Sequence, residues 1–135
     1  VPFATCSFPE YESTTGGVPV RISNGYPRYR LTYPLPGTSK WPLLFPDRQQ
    51  ITWPLERFAP VYLQKLDSLG VEAIRDSARE LLRQLGADEN ELLVLLCFEQ
   101  LAKKPDLYCH RSVFASWWTE HTGEDVPELG AVPAP

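Results

Sequence analysis

No apolar run in this chain approaches the length needed to cross a bilayer. The longest, Leu92 to Phe98, falls far short of the roughly 20 residues of a spanning helix, so no membrane span is expected. The opening residues carry no charged stretch ahead of an apolar one, and no signal peptide is expected either. A chain that starts at Val1 is expected to have been processed or trimmed. Cysteine is scarce: Cys6, Cys97 and Cys109 are odd in number and at no disulfide-framework spacing, which excludes a stapled secreted scaffold and points to a reducing, cytoplasmic setting. Basic excess is missing too, with a net charge of -4. A general nucleic-acid coat protein, which needs surplus Lys and Arg, is thereby excluded.

Several signatures of bound groups are absent as well. There is no glycine-rich phosphate loop, no dinucleotide fingerprint and no Ser nucleophile elbow, so no cofactor is expected. Zinc motifs usually present ligands as pairs two to four residues apart. Cys6, Cys97, Cys109, Glu99 and His110 have suitable side chains but no such cysteine pair, and no metal is expected.

What remains is an ordinary soluble composition, 43% hydrophobic and 22% charged over 135 residues, enough for one core. Residues 3–8 alternate bulky and small and read as a strand, and residues 18–22 as a second one near an edge because of Pro19. Residues 92–96 read as a buried central strand. Leu55 to Leu69 places Phe58, Tyr62, Leu66 and Leu69 at helical spacing, although Pro60 predicts a regular start at Phe58 or later. Val71 to Leu85 repeats the pattern ahead of Gly86, with a charged outer face. Val113, Phe114, Trp117, Trp118 and His121 form the broad apolar face of a last helix that Gly123 ends.

Between Tyr26 and Pro60, seven prolines punctuate Tyr29, Tyr33, Trp41, Phe45 and Trp53. Prolines at this density remove backbone donors and break helices, so an ordered loop is expected. Its aromatics either seal the core or line a cleft. The fold expected is α/β: a single three-layer domain, residues 1–123, with a small, mostly parallel sheet flanked by helices, followed by an irregular tail, 124–135, frayed or loosely draped for want of periodicity.

In an open α/β sheet, ligands collect beyond the carboxyl ends of the strands, where the next helix starts with unpaired N–H groups. Glu99 follows the central strand, and Cys109, His110 and Arg111 precede the last helix. A thiol there, beside an imidazole and a guanidinium, is a candidate nucleophile, since the helix dipole and the cations favour the thiolate. The alternative is an inert buried Cys109. Glu99 is a candidate general acid or base, or else the ion-pair partner of Arg111. His110 either joins the chemistry or bonds the loop. Arg111 suits a bidentate contact to phosphate or carboxylate, and Arg21 and Arg28 would reach the same sheet end and add to an anion site. From Arg21 to Arg57 six basic residues face two acidic ones, consistent with a local anion-facing surface.

A strand ending Leu95, Leu96, Cys97, Phe98, Glu99, followed by Cys109, His110, Arg111 at a helix start, resembles the signature of the family catalogued as domain of unknown function 488. Arg21, Pro27 and Arg28, and the Phe58 and Tyr62 pair, resemble its upstream pattern; where that pattern has Asp ahead of the early Arg, Pro19 stands here. The resemblance implies an α/β three-layer fold with an active site at the block 97–111, and brings no reaction.

Two functions follow as expectations. One is a small enzyme acting on a phosphate-bearing ligand, a nucleotide or nucleic-acid component, with Cys109, Glu99 and His110 doing chemistry and Arg111, Arg21 and Arg28 holding the anion. The other is a binding module that recognises a protein or nucleic acid through the loop 26–53.

Overall fold

The computed structural model describes residues 1–12, 16–98 and 109–130. Three strands, β1 (Phe3–Ser7), β2 (Val18–Arg21) and β3 (Leu93–Cys97), form one sheet in the order β1-β3-β2. Both neighbours run parallel to β3, with Cys6 opposite Leu96 and Arg21 opposite the same residue. The central place of β3 follows from its sequence: every residue is buried, and only aliphatic side chains tolerate apolar neighbours on both faces.

The helices are α1 (Leu55–Leu69), α2 (Val71–Gln84) and α3 (His110–Thr122). All three contribute to one apolar cluster: Phe58, Tyr62 and Leu66 from α1, Ile74, Ala78, Leu81 and Leu82 from α2, Phe114, Trp117 and Trp118 from α3. They meet Leu93, Leu95 and Cys97 of β3. Val94 and Leu96, pointing the other way by the two-residue period of a strand, join Cys6, Phe8, Tyr11, Tyr33 and Leu35. One face of the sheet therefore carries the helices together with Trp41, Leu44 and Trp53 of the Pro- and aromatic-rich segment, and the other is covered by Phe8 and Tyr11 with Leu31, Tyr33 and Leu35 of that segment.

That segment is an ordered loop with short 3-10 turns at Pro42–Leu44 and Arg48–Gln50. Its rings divide between two environments. Trp41 and Tyr33 are buried; Trp41 Nε1 donates to Ser77 Oγ at 2.9 Å and Tyr33 Oη to the Phe8 carbonyl at 2.7 Å. Tyr26 and Tyr29 are about half exposed, at 46% and 48%.

Two expectations need correction. Helix α1 begins at Leu55, with Pro60 inside it. The ring lies on the exposed face, where the carbonyl that loses its N–H partner can bond water, so the break expected of a buried proline is not imposed. The chain beyond α3 is not loosely draped either, as far as residue 130: the Thr5 amide donates to the Pro127 carbonyl at 2.9 Å, and the Leu129 amide returns a bond to Thr5 at 2.7 Å. Glu128 thus makes an isolated parallel bridge to Thr5 on the free edge of β1, and Val126 is buried.

Candidate functional site

The carboxyl end of β3 and the start of α3 converge because a parallel strand followed by its crossover helix must return across the sheet. Cys97 is the last residue of β3 and Cys109 is the N-cap of α3. Their sulfurs are joined in a disulfide. The expectation of unpaired cysteines is thereby overturned. Spacing along the chain carried no sign of the pair, because it is the crossover that brings strand end and helix start together. Cys109 is accordingly held as half of a cystine rather than as a free thiol, while Cys6 is free, buried on the opposite face of the sheet, its thiol pushed up to about 12 by burial.

His110, the first residue of α3, is buried against this pair. Its Nε2 lies 2.7 Å from the Ile22 carbonyl and its Nδ1 lies 3.6 Å from Cys109 Sγ. A carbonyl only accepts, so Nε2 carries the hydrogen, and in the neutral ring Nδ1 presents a lone pair to the sulfur. Neutrality is favoured: burial pushes the His110 pKa down to about 4, against the opposing pull of the Ile22 bond. The edge of the ring also packs on Tyr62, with centroids 5.8 Å apart.

Arg111 is fully buried, at 0% exposure. Its Nε and Nη2 donate to the Glu128 carboxylate at 2.9 and 3.0 Å, a bidentate fork, and Nη1 donates to Cys97 Sγ at 3.2 Å. Each sulfur of the cystine therefore has its own nitrogen neighbour, imidazole on Cys109 and guanidinium on Cys97.

A pocket of about 280 Å³ opens beside Cys97 and Cys109. Ser23, Asn24 and Gly25 form one side of it, while Pro46, Ile51, Phe58 and Phe98 supply apolar wall; Cys97, Cys109 and His110 belong to the lining. Gly25 lies against Phe98, whose ring would be 3.5 Å from an added Cβ, an ordinary contact.

The remaining expected residues are placed as follows. Arg21 does sit at the carboxyl end of the sheet, beside β3, but its Nη1 donates to the Ser23 and Asn24 carbonyls at 2.5 and 2.9 Å and the guanidinium rests over the Phe45 ring. It shapes the turn that walls the pocket. Arg28 is exposed on the loop. Glu99 lies outside the described residues. Two contributors escaped the sequence reading: Glu128, because it belongs to a tail without periodicity, and Ile22, because its backbone carbonyl, not its side chain, is what acts.

The described residues hold Cys97, Cys109 and His110 with ligand-type atoms all within 4.8 Å of one another. Among them no helix is long and apolar enough to cross a membrane. No family model, no curated protein and no solved structure matches this chain.

Proposed function

We propose that this protein carries a reversible dithiol–disulfide centre, Cys97 and Cys109, which exchanges electrons with a small, largely apolar thiol or disulfide seated in the pocket. The observation that carries this reading is that both cysteines belong to the lining of a largely apolar pocket while remaining almost wholly shielded, at 1% and 2% exposure. Shielding of that degree favours a slim organic ligand over a cysteine on a folded protein surface. In the reducing direction, a ligand thiolate attacks Cys109 Sγ, forming a mixed disulfide, and Cys97 leaves as a thiolate received by the Arg111 N–H at 3.2 Å. A second ligand thiol attacks the ligand sulfur of the mixed disulfide and releases Cys109. Two ligand thiols thus become one ligand disulfide, and the cystine takes up two electrons and two protons.

This reading narrows the expected chemistry. Cys109 keeps its place at the centre, but the support for a phosphate-bearing ligand is thin: Arg111 and Arg21 are engaged by Glu128 and by backbone carbonyls, and Arg28 stands apart. The family resemblance agrees only in placing the site at residues 97–111.

The test is equilibration with defined ratios of reduced and oxidised small thiols, followed by alkylation and intact mass. Two alkylations should appear together and disappear reversibly, and Cys97→Ser should end this paired exchange and leave Cys109 as a mixed disulfide with the small thiol, seen as added mass. A pair that never forms in the purified protein, or a Cys97→Ser variant whose Cys109 takes up no small thiol, overturns the proposal.

A further inference from the structure

We propose that the reduced form of this centre is a zinc site, with Cys97 Sγ, Cys109 Sγ and His110 Nδ1 as its three ligands among the described residues.

Three features point there. The first is the donor set: two sulfurs and one imidazole nitrogen, all buried and within 4.8 Å of one another. Opening the disulfide separates the sulfurs to their van der Waals distance, and two thiolates at about 2.3 Å from a tetrahedral ion stand about 3.8 Å apart, nearly the same spacing. Reduction alone therefore brings the donors close to the geometry an ion requires.

The second feature is the orientation of His110. A metal-ligating imidazole characteristically gives its other N–H to a carbonyl or carboxylate, which fixes the tautomer and aims the free nitrogen. Here Nε2–H donates to the Ile22 carbonyl at 2.7 Å, and Nδ1 faces the sulfur pair at 3.6 Å. Were His110 merely filling the core, either nitrogen would serve in either place.

The third feature is charge. Two thiolates are balanced by one dication, and the buried Arg111 is already matched by Glu128, at 2.9 Å. Counted over the described groups, a monovalent ion such as Cu(I) would leave a net negative charge on the two thiolates, whereas Zn(II) balances them. The Arg111 N–H to Cys97 Sγ then acts as an outer-shell donor to a bound thiolate. The described residues supply three protein ligands beside a pocket, the ligand count of a zinc ion that can take an exogenous fourth ligand.

The inference rests on the cystine being reducible, as the proposed function does, but it is read separately. The whole chain is reduced without oxygen, stripped with a chelator, and titrated with Zn(II) against a chromophoric competitor, and in parallel with Co(II) and Cu(I). One Zn(II) per chain should bind, with none to the oxidised protein. The Co(II) form should show sulfur-to-cobalt charge-transfer bands and visible transitions of tetrahedral intensity. Cys97→Ser, Cys109→Ser and His110→Ala should each weaken Zn(II) binding by at least about tenfold, while Cys6→Ser, across the sheet, should leave it unchanged. Because Cys97→Ser can lower stability, the circular dichroism of every variant is recorded, and His110→Gln gives a second substitution at the nitrogen ligand. Equal zinc affinity of reduced and oxidised protein overturns the inference, as do Co(II) bands unaltered by both His110 substitutions, or a preference for Cu(I) alone. Alkylation in the same samples reports whether the cystine opened: thiols that open and exchange but hold no zinc leave the redox reading standing, and a pair that never opens ends both.

Discussion

The Nε2–H of His110 donates to the Ile22 carbonyl at 2.7 Å, and that bond decides which ring nitrogen faces Cys109. It ties the end of β2 to the start of α3, so the two sides of the pocket are held by one buried imidazole. Burial brings a cost at low pH. The folded protein holds the His110 pKa near 4 rather than at its ordinary 6.5, with Arg111 and Lys65 nearby adding to the effect of burial. Above about pH 6.5 the ring is neutral whether folded or unfolded, and its contribution is fully present. As pH falls below that, the unfolded chain takes up a proton that the folded one refuses. Stability of the disulfide form should therefore decline from about pH 6.5 and level off near pH 4, by on the order of 3 kcal/mol from this group. Urea midpoints at pH 7, 5.5 and 4.5 check it: His110→Gln should flatten the profile, and an unchanged slope in that variant would assign the loss elsewhere.

The Arg111–Glu128 fork predicts a strong dependence of the core on the tail. Glu128→Ala removes the bidentate carboxylate partner of a fully buried guanidinium and should cost at least about 2 kcal/mol. Arg111→Met combined with Glu128→Leu should cost less than the two single changes added together. Additive losses in that double-mutant cycle would show that the two side chains do not act as a pair.

The disulfide closes a loop between residues separated by 12 in sequence. On loop-closure entropy alone its loss should lower stability by about 3 kcal/mol. Denaturation of oxidised protein against protein held in excess reductant measures this directly, and coincident midpoints would refute it.

At Gly17 the backbone has φ +81°, and an added Cβ would sit 2.8 Å from the Leu92 carbonyl that receives the Val18 amide. Strain and collision act together there, so Gly17→Ala should destabilise by about 2 kcal/mol or more. Gly37→Ala, with no atom within 4 Å of the new Cβ, provides the control and should be nearly silent.

Trp41 separates the sealing role of the Pro-rich segment from a binding role. It is 2% exposed and stacks on Phe3 at 5.7 Å. Trp41→Ala should lower stability by about 3–5 kcal/mol. The exposed Tyr26 and Tyr29 are where a partner would be felt. If Tyr29→Ala weakened capture of a partner at unchanged stability, the segment would have a second role beyond covering the sheet.

Much of the architecture was legible from the chain. The unbroken aliphatic run of β3 required burial on both faces. The apolar spacings of α1, α2 and α3 required helices with one face on a common core, and Gly70, Gly86 and Gly123 stop or cap them at positive φ. These are local rules, readable because the period of the side chains is set by backbone geometry alone. Pro60 misled for the same reason: its local meaning is a break, and only its exposure in the folded chain relieves that.

The site was legible in location but not in connection. Sequence order put Cys97 at the end of a strand and Cys109, His110 and Arg111 at a helix start, and the handedness of a parallel crossover made them neighbours. Their pairing was settled in three dimensions. A disulfide, an imidazole anchored on the Ile22 carbonyl and a guanidinium clasped by Glu128 each join residues far apart in the chain, and such contacts depend on distance in space, which periodicity does not encode. The chain by itself determined the sheet, the helices and which cysteines, imidazole and guanidinium sit at one end of that sheet; the packed structure decided which of their atoms face one another, because that is a matter of side-chain direction after the layers have closed.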